Sequence, residues 1–63
     1  MRKGIEKMGS LKTVKRDEKT GIHIDRVQVG GVVWFLKDAN DNVISHGRYR
    51  QILKQFHFWV YGD

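Results

Sequence analysis

Five consecutive apolar residues, Val32-Val33-Trp34-Phe35-Leu36, stand in the middle of the chain. Successive side chains of a strand point to opposite faces, so this run presents apolar groups to both sides of a sheet. A strand with one wet face would alternate; this one is predicted to be central and covered on both sides. The demand is severe because the chain has 63 residues and no cysteine. A domain of that size buries only about 60% of the surface its unfolded form exposes. No disulfide or cysteine-based zinc site can supplement the core. Two Trp, two Tyr and three Phe supply dense core material, and a second copy or a partner is the other way to complete it.

The flanking residues suggest how strands assemble around that run. Leu11 to Arg16 reads as a lysine-rich edge strand, a composition that discourages unwanted pairing. Asp17-Glu18-Lys19-Thr20-Gly21 suits a hairpin loop. Ile22 to Val29 is strand-like but changes phase, with Ile22 and Ile24 on one parity and Val27 and Val29 on the other, which predicts a β-bulge near Asp25–Arg26. Gly30-Gly31 is read as a two-residue hairpin turn, because glycine accepts positive φ at both positions. Asp38-Ala39-Asn40-Asp41-Asn42 is a turn, since Asn and Asp side chains bond nearby backbone and tolerate left-handed geometry. Val43 to Ser45 returns as a short strand.

From Arg48 the period changes. Tyr49, Ile52, Leu53 and Phe56 fall at i, i+3, i+4 and i+7, a helical stripe with Arg50, Gln51 and Lys54 on the other side and Ser45 or Gly47 placed to cap it. Phe56-His57-Phe58-Trp59-Val60-Tyr61 is aromatic and β-branched and reads as a last strand or extended segment stopped by Gly62. The expected fold is therefore α+β: a small, mainly antiparallel sheet of four or five strands in the order β-β-β-β-α-β, with one short helix packed on it. The expected core is Ile24, Val27, Val29, Val32, Trp34, Leu36, Ile44, Ile52, Leu53, Phe56 and Phe58. Residues 1–9 read as a basic N-terminal arm in which Ile5 and Met8 are the apolar anchors, Met8 offering a second start. Residues 10–63 make one domain. A single helix covers one face of a sheet, so the sheet curls into a small open barrel or pairs its other face with another molecule, a homodimer included.

Charge narrows the function. The net charge is +5, and residues 1–20 hold seven lysines and arginines against three acids, residues 21–46 two against three, and residues 47–63 three against one. Basic ends around a near-neutral middle attract DNA, RNA or acidic protein surfaces, though net charge also serves solubility. No apolar run approaches the ~20 residues that span a bilayer, and the N-terminus lacks a secretory signal, so a cytoplasmic protein with no membrane partner is expected.

Chemistry other than binding finds little support in the residues. Ser45 and His46 are adjacent and point to opposite faces of a strand, so they cannot pair as nucleophile and base. His23 and Asp25 share a face of a regular strand, but no serine is tied to them and the expected bulge would separate them. His23, His46 and His57, with Asp25 or Asp63, lack the spacing of a metal motif. Gly30-Gly31 is not followed by a helix and is no phosphate cradle. The expectation is a protein that is not an enzyme and uses no cofactor or metal.

Nucleic acid is the leading partner. Arg48, Arg50 and Lys54 lie on or beside the predicted helix, and Lys12, Lys15 and Arg16 extend the set toward the basic arm of Arg2, Lys3 and Lys7. Cations neutralise phosphates and aromatic rings can stack bases. Three strands followed by a helix over about residues 22–55 resemble, in topology, the small sheet-reading DNA-binding domains of phage integrase arms. The resemblance implies DNA contact through a sheet face; the aromatic tail departs from that plan. The alternative is a small accessory or inhibitor protein, of the phage or mobile-element kind, that docks on a larger protein through a sheet edge or through Trp59 and Tyr61, residues of the type that dominates interface hot spots.

Overall fold

The computed structural model describes residues 10–62, in which four strands and one helix follow one another in the order β1 (Ser10–Arg16), β2 (His23–Gln28), β3 (Val32–Lys37), β4 (Val43–Gly47) and α1 (Tyr49–Tyr61). The N-terminal arm lies outside the described residues. The strands form one antiparallel sheet in sequence order, β1-β2-β3-β4, so each pairs with its neighbour in the chain. The α+β class holds, with four strands and one helix.

Each connection follows from its turn chemistry. Between β1 and β2 the Asp17 carboxylate accepts hydrogen bonds from the Thr20 N–H and hydroxyl, and Gly21 closes the loop at φ 79°. Thr20 therefore holds the Asp17 carboxyl below its ordinary value. The β2–β3 hairpin is present, but its loop is Val29-Gly30-Gly31, in which only Gly30 has positive φ, because Gln28 pairs directly with Val32. Between β3 and β4 the Asp38 carboxylate accepts from the backbone N–H groups of Asn40 and Asn42, and Asp41 takes the left-handed conformation its type tolerates.

The core lies between the sheet and α1. Ile24 of β2, Leu36 of β3, Ile52 and Phe56 of α1 and the pre-strand Ile22 are buried, with Trp34, Ile44, Leu53 and Val60 packed around them. Trp34 stacks on Tyr49 with ring centroids 5.6 Å apart. Val29, Val32 and Phe58 are exposed, contrary to expectation, and Val27 is half-buried on the face away from α1.

Two readings of the sequence are corrected. The aromatic tail is helical: α1 runs unbroken through His57–Tyr61 and stops at Gly62, which takes φ 82° and donates its N–H to the Phe58 carbonyl. Ile52, Phe56 and Val60 continue one row at steps of four, so by running on the helix packs a third apolar side chain, half-buried, against the core. The helix starts at Arg48 in extended conformation with no side-chain cap, in place of Ser45 or Gly47. The second correction concerns the bulge. β2 pairs with β3 without interruption from His23 to Gln28; the irregularities sit at Val14 in β1 and Ile44 in β4, each an extra residue opposite a regular neighbour. The change of parity along β2 is absorbed by its two faces: Ile24 points into the core, while His23, Asp25 and Val27 share the other side.

Candidate nucleic-acid interface

Basic side chains gather on the helix side of the molecule. In α1, Arg50, Lys54, His57 and Tyr61 follow at i, i+4, i+7 and i+11, a stripe about 100–160° away from the buried row. All four are exposed. Arg50, Leu53, Lys54 and His57 line a cleft of about 370 Å³, with an aliphatic wall from Leu53 between cationic ones. The thirteen residues of α1 include no acid, and none stands in the first turn. Arg48 and Arg50 thus sit at the positive end of the helix dipole, an arrangement that adds to the field there at some cost in helix stability.

The strand cations divide. The extra residue at Val14 changes the parity of β1, so Lys12 opposite Arg26 and Lys15 opposite Ile24 both lie on the helix-bearing face, although a regular strand would separate residues three apart. Lys15 Nζ stands 5.4 Å from the centre of the Phe56 ring, its stem lying along the core edge. Arg16 pairs with His23, at the far-face parity of β1, and at the strand's end borders a cleft of about 450 Å³ with Val60 and Tyr61 of α1. The sequence therefore names six cations, and the fold places Arg50 and Lys54 on one stripe, Arg48 at its head, Lys12 and Lys15 on the helix-bearing side of the sheet, and Arg16 at the end of β1 beside Val60 and Tyr61.

Trp59 and Tyr61 do not form one patch. On a strand, residues two apart share a face; on a helix they lie about 160° apart. Tyr61, 65% exposed, joins the basic stripe, where its ring meets His57 edge-on at 5.4 Å. Trp59, 49% exposed, stands on the other flank beyond the buried row. Phe58, 59% exposed, lies next to the stripe and one turn after Lys54, and sequence reading had assigned it to the core.

The far face of the sheet holds a polar network that the sequence did not disclose. Asp25 is buried, with Oδ1 accepting the Thr13 hydroxyl hydrogen at 2.6 Å and Oδ2 3.0 Å from Lys37 Nζ. Burial works against the carboxylate, but Thr13, Lys37 and His23 together outweigh it and hold the Asp25 carboxyl below its ordinary value. His23 is also buried, with Nδ1 2.9 Å from the Gly21 carbonyl and Nε2 2.9 Å from Asp41 Oδ1. Because β2 is regular, His23 and Asp25 do share a face, yet the Thr13 hydroxyl gives its hydrogen to Asp25 and not to the ring. The three histidines do not converge: His46 lies against Phe35 and His57 is on α1. Donor atoms of His23, Asp25 and Asp41 lie within 4.8 Å of one another, but Lys37 already neutralises Asp25 at that point. The network reads as a polar clasp between β2, β3 and the β3–β4 turn.

The far face thus offers a prospective reader of DNA one arginine, Arg16, and a lysine committed to Asp25. The order of three strands and a helix over residues 22–55 is present, but the cations gather on the side of the helix. No helix among the described residues is long and apolar enough to cross a membrane. No protein-family model, curated protein or solved structure matches the chain.

Proposed function

We propose that this chain is a non-catalytic nucleic-acid-binding protein of the cytoplasm that grips phosphates with the outer stripe of α1. The observation that supports it best is the helix itself, which displays Arg50 and Lys54 one turn apart, follows Arg48, and contains no acidic residue to offset them. Lys12 and Lys15, brought to the same side by the Val14 bulge, extend the positive field across the sheet edge. Counterion release makes such binding weaken steeply with salt, by about 0.9 in log–log slope per phosphate contact on duplex DNA.

The test is a fluorescence-anisotropy titration with labelled DNA and RNA across a salt series, on the parent chain and on Arg50→Gln/Lys54→Gln. Both positions are exposed, so circular dichroism should be unchanged. The double variant is expected to bind more weakly at low salt, with a slope flatter by about 1.5. Equal affinity and slope would remove the assignment. A second reading, docking on a larger protein as an accessory or inhibitor, is favoured by the exposed rings of Phe58, Trp59 and Tyr61 at the end of α1. A binding partner held through those rings would show little salt dependence.

A further inference from the structure

We infer that the nucleic acid bound is single-stranded, its bases stacking on Phe58 and Tyr61 while its phosphates follow Arg50 and Lys54; the inference rests on the reading above. On the outer side of α1 the exposed rings follow directly on the cations. Arg50, Lys54 and Phe58 descend one row at steps of four, and His57 and Tyr61 descend the next. From Arg50 to Tyr61 the stripe is about 16 Å long. A duplex keeps its bases stacked on one another and shows a protein mainly phosphates and groove edges, so large exposed rings gain little from it. An unpaired strand offers free base faces, and a ring beside a cation is the combination that holds them regardless of base identity.

Two features of the structure favour this occupant over an apolar protein surface. The first half of the stripe carries Arg50 and Lys54, which match a polyanion, whereas an apolar partner would have to desolvate them. The Tyr61 ring lies edge-on to His57 at 5.4 Å and is 65% exposed, so its face is open to a base. The cleft between Arg50, Leu53, Lys54 and His57 gives a neighbouring base or sugar an aliphatic wall.

The experiment compares a labelled oligothymidylate of about ten nucleotides with a duplex of equal length, by anisotropy at low salt, since single-strand site sizes run from about 4 to 16 nucleotides. Phe58→Leu, Tyr61→Leu and Trp59→Leu are measured beside the parent, with circular dichroism recording the helix. Leucine keeps the helix and an apolar side chain but cannot stack. The parent should prefer the single strand, and each of the Phe58 and Tyr61 variants should lose about five-fold or more of that affinity while duplex binding is unchanged. Trp59→Leu, on the other flank, should bind as the parent does. Duplex binding as tight as single-strand binding, still dependent on Arg50 and Lys54, would overturn the single-strand inference and leave the phosphate reading standing. Losses with Trp59→Leu equal to those at Phe58 and Tyr61 would overturn the stripe as the binding surface. Absence of binding to either nucleic acid would overturn both readings.

Discussion

The two faces of the sheet are held by different physics. On the helix side Ile24, Leu36, Ile52 and Phe56 exclude water and need only be apolar and fit one another. On the far side Asp25, Lys37, Thr13 and His23 are bound by directional contacts, each of which matters because a buried polar group left without its partner is costly. A single strand, β2, serves both: Ile24 faces one way, His23 and Asp25 the other, and all three are buried. The difference teaches where each face is fragile. The apolar face responds to lost volume, and the polar face responds to lost charge and to pH.

The largest effect should come from the apolar face. Phe56→Ala removes the largest fully buried side chain and is expected to cost about 3–5 kcal/mol. A domain of this length has only about 3–9 kcal/mol in total. Urea unfolding should therefore show a midpoint close to zero denaturant, and a loss under 1.5 kcal/mol would mean the core is not organised around that ring.

The polar face should give a smaller loss with a pH signature. Asp25→Asn keeps the shape, removes the charge facing Lys37 and His23, and is expected to cost about 2–3 kcal/mol at neutral pH. The Asp25 carboxyl is depressed in the fold, so its stabilisation is complete above the ordinary carboxyl range and is lost as pH falls through the lower folded value. Urea midpoints measured from pH about 5 down to about 2 should fall less steeply for Asp25→Asn than for the parent. Asp17 and Asp38, depressed by hydrogen bonds from Thr20 and Asn42, leave a residual acid slope in both.

The smallest effect lies where the two faces meet at the turns. Gly21 holds φ 79°, and a Cβ there would stand 2.5 Å from Ala39 Cβ in the β3–β4 turn. Gly21→Ala is expected to cost about 2 kcal/mol, part from the left-handed backbone and part from the collision. Ala39→Gly in the same chain should restore most of the second part and leave about 1 kcal/mol, from the left-handed backbone and the Ala39 Cα that still stands 3.1 Å away. Full restoration would show that the backbone term is absent.

The parts of the fold that the sequence disclosed are those written in local chemistry. Asp17 with Thr20, the Gly30-Gly31 pair and the Asp38–Asn42 run name their turns, and Tyr49, Ile52, Leu53 and Phe56 name the helix. The tail was misread because residues 56–61 are apolar or aromatic at nearly every position, where periods of 2 and 3.6 cannot be told apart. Val60, four beyond Phe56, and Gly62 as a C-cap were the available signs that the helix continues. The clasp of His23, Asp25 and Lys37 depends on strand register and on contacts across 12 to 18 residues, which no local pattern carries. The candidate interface was half legible: Arg50 and Lys54 follow from helical spacing, but the common side of Lys12 and Lys15 depends on a bulge that only the pairing with β2 reveals.

The β1-β2-β3-β4 meander also governs how the chain finds its structure. Every strand pairs with the one just before or after it, through loops of only a few residues, and α1 follows directly on β4. Loop-closure costs are correspondingly low, and no long excursion has to be completed before the first contacts gain from one another. The β2–β3 hairpin, with a three-residue loop and the apolar run of β3, stands at the centre of the sheet, and β1 and β4 add to its two edges. A chain with a thin margin of stability thus owes part of its viability to the speed with which adjacent pieces meet.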